Sequence, residues 1–80
     1  MGGPITLNGA MLFGFLKATG DDIRVRVSAD DWERLGLSPG QQVKVGGPAR
    51  DAESLLLARV EEAPPVVWLV FASLTARRAG

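Results

Sequence analysis

The sequence predicts a mainly β fold, a small closed β-barrel of about five short strands with one short helix at about residues 29–35. Two alternating runs, 23–27 and 41–45, place branched aliphatic side chains on one face and polar side chains on the other. A continuous apolar run at 66–71 is typical of a strand at the centre of a closed sheet. Ten glycines and five prolines fit the many tight connections of such a barrel.

Composition limits the chemistry of the chain. Its 80 residues predict a single domain, 1–80. Cysteine and histidine are absent, which excludes disulfides, thiolate zinc sites and mechanisms that need either side chain. Nine basic and nine acidic residues give a formal net charge of zero, whereas nucleic-acid modules usually carry a basic excess. No apolar run reaches the roughly 20 residues that span a bilayer. We therefore expect a cytoplasmic domain with no membrane insertion and no favoured nucleic-acid partner.

The N-terminal region predicts a flexible start that leads into a short extended segment at 5–7. Residues 1–4 contain two glycines and a proline and are expected to be flexible. Asn8 and Gly9 predict a tight turn, because both residues tolerate positive φ. Residues 11–18 are apolar and fit either a strand or a short helix. Residues 19–22 predict a loop.

The strands at 23–27 and 41–45 have one buried and one exposed face. In the first strand, Arg24 and Arg26 alternate with branched aliphatic residues, and we assign both arginines to a solvated face. Residues 38–40 predict the turn that leads into the second strand.

A capped helix is predicted between these two strands. Ser28 is placed to accept hydrogen bonds from the first helical amides, and acidic residues follow it in the first turn. Trp32 and Leu35 are three residues apart and so share the predicted inner side of the helix. Gly36 is the expected left-handed stop.

The second half of the chain predicts two more strands. Residues 46–51 form a loop, 54–60 a strand, and the prolines within 63–65 an extended corner. Residues 66–71 form the most buried strand. The basic segment 75–80 is expected to be a flexible tail.

No catalytic or metal-ligating constellation is predicted. Helix capping explains three of the densest carboxylates, Asp30, Asp31 and Glu33. Together with Asp21 and Asp22, they lack the spacing of a calcium loop. Without histidine or cysteine, only Lys17 and Lys44 remain as neutral bases, and no nucleophile pairs with them. We therefore expect no autonomous enzymatic activity.

Three other features are candidate ligand sites. Residues 46–48 lack the lysine and following helix of a phosphate loop and predict a hairpin connection. Trp32 and Trp68 could stack on a planar ligand, but burial is the favoured interpretation of both. Backbone amides at the first turn could bind a polar ligand, which gives three candidate positions: Thr6, Asn8 and Gly9.

Residues 25–45, VRVSADDWERLGLSPGQQVKV, resemble a segment of molybdopterin dinucleotide-binding domains, the C-terminal double-psi β-barrels of molybdenum oxidoreductases. Residues 55–71 are similar to the last strands of that family. Residues 8–12, NGAML, are similar to the segment that leads into the barrel in the large iron–sulfur subunit of bacterial NADH-quinone oxidoreductases. These subunits belong to the same superfamily and generally lack the molybdenum cofactor. The resemblance covers about residues 8–72.

The resemblance implies a double-psi-like barrel that forms a non-catalytic part of a redox subunit and packs against the remainder of it. Two departures from the family pattern imply that binding of molybdopterin guanine dinucleotide is weakened or lost. Residues 63–65, APP, stand in place of Pro-Gly, and residues 71–74, FASL, stand where cofactor-binding members present polar or glycine-rich positions.

Other assignments remain open. The unit at 25–45 is shared with AbrB-like DNA-binding proteins, which implies a swapped dimer with Arg24 and Arg26 on the phosphates. A functional molybdopterin dinucleotide-binding module is a second alternative. A protein-recognition module resembling the N-terminal domains of some AAA ATPases is a third.

Overall fold

A computed structural model describes residues 2–20, 22–48 and 50–74 of the chain. Within these ranges it contains six strands and one helix. In chain order, the elements are β1 Gly2–Leu7, β2 Ala10–Thr19, β3 Asp22–Ser28, α1 Ala29–Leu35, β4 Gln42–Gly47, β5 Arg50–Ala63 and β6 Val66–Ser73. The expected flexible tail, 75–80, lies outside the described residues.

The six strands close into a barrel in the order β1-β2-β3-β6-β5-β4, and every neighbouring pair is antiparallel. Two hairpin-connected sets, β1-β2-β3 and β4-β5-β6, are joined by α1, which carries the chain from β3 to a strand that is not its neighbour. Closure pairs both margins of the sheet, which removes the exposed edges of an open one. The prediction of a mainly β closed barrel with one short helix is confirmed.

The first hairpin resolves the ambiguous region near the N-terminus. Asn8 and Gly9 both have positive φ, 53° and 86°, and form the predicted turn. Residues 11–18 belong to the ten-residue strand β2, not to a helix. Residues 2–4, assigned to a flexible start, pair with residues 13–15 and belong to β1.

The barrel interior is filled by aliphatic side chains and one phenylalanine. Along each strand every second residue points inward, as strand geometry requires. The core cluster comprises Ile5, Leu7, Leu12, Leu16, Ile23, Val25, Val27, Val43, Val45, Leu55, Leu57, Val67, Leu69 and Phe71. No polar or charged side chain among the described residues is buried. The fold is therefore held by apolar burial.

Helix α1 closes one end of the barrel and has the predicted caps. The Asp31 N–H donates a 3.1 Å hydrogen bond to Ser28 Oγ, and Gly36 ends the helix in the left-handed conformation at φ 65°. Trp32 and Leu35 pack against the core cluster but are only half-buried, since the helix lies against the barrel mouth rather than inside it.

Strand β6 corrects the prediction that residues 66–71 are buried throughout. Its inward residues belong to the core, whereas Trp68 lies on the outer face and is half-buried. The reason is that both neighbours of β6, β3 and β5, lie in the same cylindrical sheet, so that alternate side chains must face outward.

The predicted loop at 46–51 is also shorter than expected. Gly46 and Gly47 belong to β4, and β5 already begins at Arg50. Side chains of neighbouring strands approach the β4 backbone closely here, which leaves room for glycine but not for a larger residue. A Cβ on Gly46 would lie 2.7 Å from Thr6 Oγ1.

Candidate functional site

The three candidate ligand-binding residues lie together at the β1–β2 turn. The Asn8 backbone N–H donates to the Lys44 carbonyl oxygen at 2.8 Å, and the Lys44 N–H donates to Asn8 Oδ1, also at 2.8 Å. We call these two bonds the Asn8–Lys44 latch. Thr6 pairs with Gly46 on the same strand, β4. The latch therefore attaches the turn to β4 and satisfies polar groups of Asn8 that a ligand would otherwise use.

An apolar surface lies on the outer face of the same hairpin. Met11 and Phe13 are 70% and 74% exposed, and they are the exposed large hydrophobic residues of the described chain. Phe13 is directly opposite Pro4 on β1. We call Pro4, Met11 and Phe13 the exposed strip. Clustered exposed apolar side chains of this kind commonly mark interaction sites.

A second outer surface combines cations with aromatic rings. Phe15, Arg26 and Trp68 occupy one row across β2, β3 and β6. The Arg26 guanidinium carbon lies 5.2 Å from the centre of the Phe15 ring and 5.8 Å from that of Trp68. The two rings meet edge to face, with centroids 6.5 Å apart. Cation–π attraction therefore holds Arg26 on this surface, where it has no carboxylate partner among the described residues.

An ion network lies beside this row. Glu61 accepts from Arg59 at 2.8 Å and from Arg24 at 3.3 Å. The hydrogen bond from Arg59, with the positive charge of Arg24, holds the pKa of the Glu61 carboxyl below its ordinary value.

The same network covers an outward-facing valine. Val70 is only 1% exposed, although its neighbours in the chain, Leu69 and Phe71, are the ones that point into the core. Arg24 and Arg59 flank Val70 in the sheet. Arginine side chains on neighbouring strands commonly cover such a residue with their aliphatic stems.

A groove of about 340 Å³ opens on the same outer face of the barrel. It is lined by Lys17, Thr19, Arg24 and Trp68, from three adjacent strands. Sequence reasoning found Arg24 and Trp68 separately but did not include Lys17 or Thr19. The signal that could have found them is the hairpin of β2 and β3, whose register puts Lys17 directly beside Arg24.

Within residues 2–20, 22–48 and 50–74, no group of three carboxylates is positioned to hold a metal ion. In the same residues no helix is long and apolar enough to cross a membrane.

Comparison of the chain with protein-family models, with curated proteins and with solved structures finds no match.

Proposed function

We propose that the chain is a non-catalytic barrel domain of a molybdopterin-superfamily redox subunit, most similar to the C-terminal domain of the large iron–sulfur subunit of NADH-quinone oxidoreductase. Its contribution is structural: it packs against the rest of that large subunit, at the cytoplasmic face of a membrane complex, and its binding of molybdopterin guanine dinucleotide is weakened or lost. The resemblance of residues 25–45 and 55–71 to molybdopterin dinucleotide-binding domains supports this family assignment.

The Asn8–Lys44 latch is the observation that carries the proposal. Thr6, Asn8 and Gly9 are the positions assigned to a polar ligand, yet Asn8 commits its backbone N–H and its side-chain oxygen to the main chain of β4. A ligand at this turn would have to replace bonds that already satisfy these groups. The turn is therefore better suited to stabilising the barrel than to binding a nucleotide.

The exposed strip supports a packing role. Met11 and Phe13 lie on a paired strand whose inward residues, Leu12 and Leu16, are buried. The exposure of Met11 and Phe13 is therefore not caused by a poorly packed core. Removal of such apolar area from water upon contact with a partner favours association by about 25 cal/mol per Å² of buried surface.

Calorimetric titration of the chain with GDP tests the loss of the cofactor site. GDP carries the guanine and diphosphate groups of the dinucleotide cofactor, and we expect no saturable binding. Saturable binding that disappears in Asn8→Ala would overturn the proposal and support the alternative of a functional molybdopterin dinucleotide-binding module.

Co-expression with the large iron–sulfur subunit of an NADH-quinone oxidoreductase, shortened by removal of its own C-terminal domain, tests packing. We expect the two chains to purify together, and the double variant Met11→Ser/Phe13→Ser to lose the association. The matched control is Gln42→Ser, an exposed position on β4 outside the exposed strip. Separate purification of the unmodified chains would contradict the packing role.

The structure gives less support to the alternative of an AbrB-like swapped dimer. One chain supplies all six strands of the closed barrel, so no exchanged strand is needed to complete it.

A further inference from the structure

The outer face of β2, β3, β5 and β6 carries most of its charge as cations. Ile23, Val25 and Val27 point into the core, so the two arginines that alternate with them on β3 point outward. The register sets Lys17 beside Arg24. On β5, Arg59 flanks Val70 on the same face. The cations of this surface are therefore Lys17, Arg24, Arg26 and Arg59. We call these four residues, with Phe15 and Trp68, the basic face.

The basic face has a positive excess that the whole-chain charge conceals: within the described ranges its four cations share the outer face with two carboxylates, Glu61 opposite Trp68 and Asp22 opposite Thr19. Glu61 is shared between two of the four cations, Arg24 and Arg59. Lys17 and Arg26 have no ion pair within the described ranges. The zero net charge of the chain is therefore not the charge that a ligand meets at this surface.

The groove on the basic face combines two kinds of contact. Lys17 and Arg24 supply donors that suit phosphate oxygens, and the Thr19 hydroxyl lies beside them. Trp68 forms the remaining wall and offers an aromatic surface. Next to it, Arg26 holds a planar guanidinium on which a nucleobase can also stack.

We propose that the basic face binds single-stranded nucleic acid, with the phosphates at Lys17 and Arg24 and a base against Trp68 and Arg26. Proteins that bind single strands combine a positively charged track with aromatic stacking surfaces in this way. A duplex hides its bases in the stack and is read by a helix or a two-stranded ribbon in the major groove. The basic face is the side of a closed barrel and has neither element. This inference does not rest on the proposed function, which uses the exposed strip.

Fluorescence anisotropy of a labelled oligothymidylate, about 12 nucleotides long to span one site, tests the proposal on the full chain. We expect saturable binding at low salt that weakens as salt rises, because phosphate contacts release counterions. The intrinsic fluorescence of Trp68 should fall upon binding. Since the chain has two tryptophans, this signal is recorded in a Trp32→Phe background.

Two charge-reversal variants distinguish binding at the basic face from a nonspecific effect of net charge. Lys17→Glu and Lys44→Glu make the same change at exposed strand lysines, the second on β4 outside the basic face. We expect Lys17→Glu to weaken binding about tenfold and to reduce the salt dependence by about one phosphate contact. Lys44→Glu should leave both nearly unchanged. Equal effects of the two variants would overturn the proposal.

The stacking contact has its own test. Trp68→Ala should weaken binding about tenfold, whereas Trp68→Phe should retain most of it, because a ring remains available for the base. Circular dichroism and thermal unfolding establish that each variant is folded, and Lys17→Glu supplies an independent measurement if Trp68→Ala is not.

Competition experiments identify the class of ligand. Unlabelled oligothymidylate should displace the probe, and polyglutamate should not, since it offers charge without bases. Displacement by polyglutamate at equal charge would overturn the proposal in favour of an acidic protein partner. Equal affinity for a duplex of the same length, or no binding at low salt, would also overturn it.

Discussion

The inner and outer faces of the barrel use their side chains differently, and β6 shows both uses within one strand. Its inward residues Val67, Leu69 and Phe71 are buried in the core. Its outward Trp68 is half-buried and belongs to a row of rings and a cation. The inner set stabilises the fold through burial alone, whereas the outer set leaves ring surface and charge accessible to a ligand. A run of apolar residues in the sequence does not distinguish these two uses.

Charge shows the same contrast between the helix-closed end and the basic face. At the closed end, Asp30 and Asp31 lie in the first turn of α1, where the helix dipole favours negative charge, and Arg34 pairs with Asp31 at 3.2 Å. On the basic face, Lys17 and Arg26 have no carboxylate partner within the described ranges. Charges at the closed end stabilise local structure, whereas Lys17 and Arg26 on the basic face remain available to a ligand.

The largest expected effect contrasts the two faces of β6. Phe71→Ala should lower the free energy of unfolding by about 4 kcal/mol, because it removes a fully buried ring and leaves a cavity. Trp68→Ala should cost only about 1–2 kcal/mol, from the lost ring pair and cation–π contact. Urea unfolding measures both values. Equal losses would mean that the outer row is as important to the fold as the core.

The next effect tests how closely β2 and β3 approach at the barrel wall. A Cβ on Gly14 would overlap the backbone carbonyl oxygen of Arg26, which cannot move aside as a side chain can. Gly14→Ala should therefore destabilise the chain by about 3 kcal/mol in urea unfolding. The matched control is Gly2→Ala, where the nearest atom to an added Cβ lies at an ordinary 3.7 Å. If Gly14→Ala unfolds like Gly2→Ala, the barrel wall is looser than the structure indicates.

A smaller effect compares the closed end with the basic face. Ser28→Ala should cost about 1 kcal/mol of stability, because the Asp31 N–H at the start of α1 loses its acceptor. Lys17→Ala should change the free energy of unfolding by less than about 0.5 kcal/mol, as for most exposed substitutions. Thermal unfolding at neutral pH measures both. A larger loss for Lys17→Ala would assign a structural role to the cation that we propose for ligand binding.

Local signals in the sequence predicted the elements whose chemistry is local. Ser28, Gly36 and the Asn8–Gly9 turn each lie where the structure requires a cap or a positive φ, since these roles depend on a few adjacent residues. The alternation at 23–27 likewise predicted which side of β3 is buried.

The candidate surfaces could not be predicted in the same way, because they depend on register between distant strands. Arg24 meets Glu61 only because β3 and β5 both pair with β6, and no local pattern encodes that arrangement. The half-burial of Trp68 also follows from closure, which sets alternate residues of β6 outward. Net charge gives no sign of the basic face, since it averages the acidic closed end with that face.

The smallest expected effect concerns the one carboxylate within the ion network of the basic face. Because the pKa of Glu61 is lowered in the folded chain, its ion pairs contribute stability above the ordinary pKa of a glutamate, and this contribution is lost as the pH falls through the lowered value. Glu61→Gln should therefore unfold at a slightly lower temperature than the unmodified chain at neutral pH, and the difference should disappear in acid. Glu62→Gln, which alters the next residue, is the control and should show no such pH dependence. A difference that persists unchanged in acid would mean that Glu61 acts through packing over Val70 rather than through its charge.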